Sequence, residues 1–183
     1  FRAMGRPRLG VFIGAGNLDS MVAHYTAAKK RRSEDFYSPG KRTGLRPDRA
    51  TIVYANRARE AFGSEIPIVI GGLEASLRRF AHYDYWDDRV RRSVLVDSGA
   101  DILVYGMGET ASREIARRLK KKIPVSEMRD IRGTAILTHS PDDCAFDSVT
   151  LPSFADVCDS RRFYADATRL EYAEHDPVRG RAL

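Results

Sequence analysis

Just after the apolar run IPIVIGG (66–72) come Glu74, Ser76, Arg78, His82, Tyr83 and Asp84. A carboxylate, a hydroxyl, a guanidinium, an imidazole and a phenol can together donate and accept hydrogen bonds, carry protons and stack. Asn17, Asp19, Ser20 and His24 form a second group behind RLGVFIGA (8–15), and Glu109 follows ADILVYG (100–106). Recognition of a polar ligand is the chemistry these types share. No residue stands out as a nucleophile or a catalytic base of this chain, and no cluster has metal-ligand spacing.

Such groups need elements to hold them. The three runs, and less clearly GTAILT (133–138), are rich in Val and Ile without strict polar alternation. Strands covered on both faces read this way. Residues 47–62 open with Pro47 and Asp48, which suit a helix start, and Ala50, Val53, Tyr54, Ala58, Ala61 and Phe62 share a helical face. Residues 109–122 repeat the pattern with Ala111, Ile115, Ala116 and Leu119. Alternating strand and helix predicts an α/β fold: a Rossmann-like, doubly wound, mainly parallel sheet with helices on both faces.

In such a sheet, ligands gather beyond the carboxyl ends of the strands. Three strands end in glycine there: GAGN (14–17), GGLE (71–74) and GMGE (106–109). Glycine permits the turn and a close ligand approach, and the following helix offers free N–H groups. Gly71, Gly72, Gly106 and Gly108 are therefore candidate binding positions. A purely mechanical corner reads the same way. No GxGxxG and no GxxxxGK(S/T) is present, so neither a dinucleotide fingerprint nor a P-loop is supported. Leu73, Leu77 and Phe80 are expected to form the buried stripe of a short helix, leaving Glu74, Ser76, Arg78 and Arg79 at the open edge. The alternative is a structural cluster of aromatics and ion pairs, since Asp87 and Asp88 lie near Arg89, Arg91 and Arg92. Asp19 and Ser20 are also helix-capping types.

The 183 residues, 43% hydrophobic and 31% charged with net charge +6, suit a globular chain. No apolar run approaches the roughly 18 residues a membrane span needs, and no export signal is visible, so a cytoplasmic setting is expected. Cys144 and Cys158 are too few and too far apart for a zinc ribbon or a CxxC pair. The loop 29–46 carries Lys29, Lys30, Arg31, Arg32, Lys41, Arg42 and Arg46 against Glu34 and Asp35. Beyond 141, Ser153 and Asp156 have capping-box spacing before a helix expected to run to about Glu174.

The segments AGNLDSMVAHYTAAKKRRSEDFYSPG, GLRPDRATIVYANRAR, IVIGGLEASLRRFAHYDYWDDRVRRSVLVDSGADILVYGMGE, DIRGT, LPSF and EYAEHDPVRGRAL together resemble the N-terminal region of the YgiQ-type (UPF0313) radical SAM proteins. The corners IVIGGLEAS and ADILVYGMGE are similar to those of the cobalamin-binding-like domains that precede radical SAM barrels. The resemblance implies a Rossmann-like domain over 1–140, expected to lack the family's first βα unit, and a connector with a helix over 141–183 leading to a radical SAM barrel. It implies that the parent enzyme uses a 4Fe-4S iron-sulfur cluster and S-adenosylmethionine. The CxxxCxxC motif that holds such a cluster is absent here, so this chain alone is expected to be inactive. Cobalamin is a further cofactor of similar domains, and its DxHxxG signature is absent.

Two functions follow as expectations. One is an accessory domain that helps form a substrate or cofactor cleft against the barrel of the same polypeptide, with Glu74→Ala and His82→Ala leaving the fold intact. The other is a nucleic-acid or anion-binding module that uses the 29–46 loop and the arginines of 78–92, with Tyr83, Tyr85 and Trp86 available to stack. A purely structural packing domain is the plainest alternative.

Overall fold

The four apolar runs become four short strands of one sheet. The computed structural model describes residues 1–140, 143–176 and 178–183. Its strands are β1 (Val11–Gly14), β2 (Ile68–Gly71), β3 (His82–Asp84), β4 (Arg89–Arg91), β5 (Ile102–Val104) and β6 (Thr134–Ile136). Its α-helices are α1 (Ser20–His24), α2 (Ala50–Phe62), α3 (Gly72–Leu77), α4 (Val94–Ser98), α5 (Glu109–Lys120), α6 (Phe154–Asp159) and α7 (Arg161–Ala173). They divide into two compact units, Phe1–Arg79 with Val94–Leu137, and Phe80–Ser93 with Thr138–Leu183.

The first unit is built on the sheet β1-β2-β5-β6. β1, β2 and β5 are parallel, and β6 runs antiparallel to β5. In the central strands β2 and β5 the lack of alternation has a direct cause, because both faces are covered. Ile68, Ile70, Leu103 and Ile13 pack on one side with Ala55 and Ala58 of α2, Ala75 of α3, and Val94 and Leu95 of α4. Val69, Ile102 and Val104 pack on the other with Ala111 and Ile115 of α5, and with Met128 and Ile131. The protein is therefore an α/β, Rossmann-like fold with a mainly parallel sheet between helices.

The α3 segment departs from its expected orientation. Leu73 and Leu77 are 44% and 61% exposed, whereas Glu74 and Ala75 are 2% and 0% exposed. The helix ends at Leu77, so Phe80 lies beyond it and the three residues never form one stripe. Ala75 turns inward because a small side chain lets this short helix sit close to β2 and β5, and Glu74 follows because buried amides receive its carboxylate.

The second unit holds the hairpin β3-β4 and the helices α6 and α7. His82 pairs with Arg91, Tyr83 with Val90 and Asp84 with Arg89. Asp84 closes the turn by accepting from the N–H groups of Trp86 and Asp87 at 2.9 and 3.2 Å. The capping box is present, with the Ser153 Oγ accepting from Asp156 N and the Asp156 carboxylate from Ser153 N. The expected single helix is two, however. Ser160 is extended, at φ −138° and ψ 126°, and its side chain restarts the helix by accepting from Arg162 N at 3.2 Å.

Candidate functional site

Three glycine corners share one edge of the first unit, because β1, β2 and β5 are parallel and Gly14 stands in register with Gly71. Two of the glycines answer to packing. A methyl group at Gly71 would lie 3.1 Å from the Val104 carbonyl oxygen, and one at Gly108 would lie 2.7 Å from Val104 Cγ1. Gly72 and Gly106 instead have φ of 83° and 65°. Asn17 and Glu109 are exposed at this edge, Glu109 in the first turn of α5. The Ser76 hydroxyl donates to the Gly72 carbonyl at 2.8 Å.

Behind that edge, Asp19, Ser20, Glu74 and Arg78 come together. Asp19 caps α1, its Oδ1 accepting from Met21 N and Val22 N at 2.9 and 3.3 Å. Glu74 divides its carboxylate between two helix starts. Oε2 accepts from Ser20 N at 2.8 Å, and Oε1 accepts from Thr51 N at 2.9 Å. The Ser20 hydroxyl accepts from Ala50 N at 3.0 Å, and the Arg78 guanidinium donates to Asp19 Oδ2. Helix N-termini carry unpaired N–H groups and partial positive charge, which an anion satisfies. Here the chain's own Glu74 satisfies them. That placement changes the outcome expected for Glu74→Ala, since removing a buried acceptor strands two buried amides.

His24 is 1% exposed, with Nδ1 2.7 Å from Asp48 Oδ1, and the Tyr25 hydroxyl donates to Asp48 Oδ2 at 2.7 Å. Burial works against the Asp48 carboxylate, but the bonds from Tyr25 and His24 outweigh it and hold its pKa below the ordinary value. The same bond pushes the Tyr25 phenol up, with burial adding to it.

His82, Tyr83 and Asp84 lie in the second unit. His82 Nδ1 is 3.1 Å from the Phe80 carbonyl oxygen, and the Tyr83 hydroxyl donates to Asp88, which raises the pKa of the phenol. Asp84 is 4% exposed and spent on its turn. The arginines of 78–92 are engaged as well. Arg78 reaches Asp19, Arg79 lies 5.2 Å over the Tyr105 ring, and Arg91 bridges to Asp87 at 2.8 Å.

Two features have no counterpart among the sequence expectations. By type Asp48 suits a helix start, and no local pattern links it to a histidine 24 positions away. Phe36 and Tyr37 are 72% and 56% exposed on the 29–46 loop. Their signal was present in the sequence, as two rings inside a basic run.

Among the described residues no group of three or more His, Cys, Asp or Glu could hold a metal ion. Cys144 and Cys158 are free, and two cysteines are fewer than the thiolates that hold a 4Fe-4S cluster. No helix among the described residues is long and apolar enough to cross a membrane.

Residues 1–183 match the family described as Radical SAM N-terminal. A UPF0313 protein of Clostridium perfringens (strain SM101 / Type A) is 53% identical over 183 residues, all of this chain and 28% of that protein. A UPF0313 protein of Clostridium botulinum (strain 657 / Type Ba4) is 48% identical over the same span, again 28% of its length. The chain thus spans just over a quarter of these relatives. No solved structure matches.

Proposed function

The chain belongs to the Radical SAM N-terminal family, and from that premise we propose that it is the accessory domain of a longer radical SAM iron-sulfur enzyme. It turns the carboxyl edge of its parallel sheet toward the rest of the polypeptide and helps form the substrate or cofactor cleft there. The observation that carries this is the pair of apolar corners on that edge. Leu73 and Leu77 after β2 are 44% and 61% exposed, and Met107 after β5 is 87% exposed. Large apolar side chains gathered beside glycine corners suit a covered surface better than a wet one.

Within this reading the edge residues divide by placement. Asn17, Gly72, Ser76, Gly106 and Glu109 are available to a ligand, while Gly71 and Gly108 let strands and helices approach. Asp19, Ser20, Glu74 and Arg78 are positioning residues that fix the helix starts. His82 and Tyr83 offer a second set of polar groups on the hairpin. The cluster and S-adenosylmethionine that the family implies would be held elsewhere on the polypeptide, where together they would supply a carbon-centred radical. Cobalamin fits poorly at the edge. His24 is the histidine of the first unit, and it is buried against Asp48. Titration with hydroxocobalamin without a saturable spectral change would exclude that cofactor.

The edge is tested by peroxide oxidation of methionines in the full-length protein, read by peptide mass spectrometry. Met128 is 0% exposed and serves as the slow reference. An added methionine peptide is the fast one. Met107 is expected to oxidise near the Met128 rate. Oxidation at the peptide's rate would leave the edge uncovered and overturn the reading.

A further inference from the structure

The loop 29–46 is a separate feature that the accessory role does not use. Lys29, Lys30, Arg31, Arg32, Lys41 and Arg42 are all exposed. Of the two acids among them, Asp35 is buried and neutralised by Arg46, which leaves Glu34. Phe36 and Tyr37 stand out beside these cations, with the Lys41 ammonium 5.0 Å over the Phe36 ring. A neighbouring open concavity of about 430 Å³ is lined by Ser33, Glu34, Gly40, Lys41, Arg42 and Thr43.

The backbone that carries the rings is held in place. Asp35 immediately precedes them, and its carboxylate accepts from Tyr37 N at 3.0 Å, from the Ser38 hydroxyl at 2.6 Å and from Arg46 at 2.8 and 3.0 Å. Arg46 also donates to the Ala15 carbonyl at 3.2 Å, which ties the loop to the β1 corner. A second turn at 26–30 is closed by Arg32 N donating to His24 O at 2.8 Å and Thr26 N to Lys30 O at 2.8 Å. A loop backbone fixed before a ligand arrives loses little order on binding it.

We propose that this loop is a binding surface for single-stranded nucleic acid, in which Phe36 and Tyr37 stack on bases and the surrounding Lys and Arg side chains neutralise phosphates. Unpaired bases present open faces to rings, and a phosphate backbone answers a run of cations. A duplex keeps its base faces stacked away. A lipid surface would have to accept the polar concavity and Glu34 along with two rings. The surface goes beyond the accessory role, and neither depends on the other.

The test uses the full-length protein, a short fluorescein-labelled oligouridylate, its duplex with oligoadenylate, and phosphatidylglycerol vesicles, with anisotropy or sedimentation followed over a salt series. Single-strand binding is expected to exceed duplex binding and to weaken steeply with salt. Phe36→Ala and Tyr37→Ala should each weaken it about tenfold and leave the salt slope unchanged. Lys41→Glu with Arg42→Glu should flatten the slope, and Arg57→Glu on the exposed face of α2 should change nothing. Circular dichroism of each variant confirms folding. The proposal fails if the oligouridylate does not bind at low salt, if the alanine variants bind unchanged, or if vesicles bind while RNA does not.

Discussion

A single carboxylate shows how far residue types alone can lead. Glu74 was legible as a chemically capable group beside a glycine corner. Its partners were not legible, because the amides it receives lie 54 and 23 positions away at Ser20 and Thr51. Leu73 and Leu77 have helical spacing that suggests burial, but two stranded helix starts outrank two methyl-rich side chains when only one face can turn inward. Unmet buried amides cost about 1–3 kcal/mol each. Glu74→Ala is therefore expected to lower unfolding stability by roughly 2–5 kcal/mol, with Glu74→Gln losing less because its amide oxygen still accepts one N–H. Urea denaturation midpoints measure this, and an unchanged midpoint for Glu74→Ala would refute the positioning role. Asp35 gives a prediction in pH. Burial opposes its charge, but the bonds from Ser38, Arg46 and Tyr37 N prevail and bring its pKa from 3.8 down to about 2. A depressed carboxylate contributes its stability above the unfolded value and loses it as pH falls through the folded one. The Asp35 contribution should thus be complete above about pH 4 and fade toward pH 2. In Asp35→Asn the midpoint should be lower at neutral pH and flatter over that window, and equal pH slopes in the two proteins would count against the network.

At the scale of elements, what periodicity carries was readable and what a turn decides was not. The strands at 68–71 and 102–104 fall inside their apolar runs because burial on both faces leaves a continuous signal, and the edge strand at 11–14 falls inside its run although Phe12 is 46% exposed. Helix α5 buries Ala111 and Ile115 as its stripe requires. The hairpin at 82–91 was hidden, since each of its strands has three residues and no alternation long enough to read. The Asp84 turn was its available signal. The helix break at Ser160 was hidden likewise, because a serine inside a helical pattern becomes a cap only when the chain around it is extended. The glycine corners allow a sharper test. Gly108→Ala places a methyl group against Val104 Cγ1, and Val104 is β-branched and 5% exposed, so it cannot swing away. Overpacking of this kind costs about 1–3 kcal/mol. Val104→Ala leaves a cavity, and the double variant fills part of it. The two losses are expected to be less than additive, by about 1 kcal/mol in a double-mutant cycle. Strict additivity would mean that the corner relaxes elsewhere.

For the whole molecule, sequence order and spatial order diverge. The sheet ends at Ile136, and the second unit takes Thr138–Leu183 together with Phe80–Ser93, a stretch enclosed in sequence by the first. No composition shift marks that excursion, and its evidence is tertiary: Tyr83 N donates to the Tyr164 hydroxyl at 3.3 Å, across 81 positions. The two units also differ in what they bury. The sheet has a cluster on each face, whereas α7 buries none of its 13 residues and leaves Phe163 and Tyr172 43% and 79% exposed. Amide exchange follows burial and contact density. The N–H groups of Ile68–Ile70 and Ile102–Val104 are expected to be the slowest in the protein, and those of α7 among the fastest when this chain stands alone. In the full-length protein the same α7 amides should slow by about tenfold or more if the remainder of the polypeptide covers its apolar side chains, because each factor of ten is only about 1.4 kcal/mol of added local stability. Exchange mass spectrometry of the two lengths side by side decides the matter. If α7 exchanges equally fast in both, its exposed rings are a surface of the full-length protein, and the proposed interface is confined to the sheet edge around Leu77 and Met107.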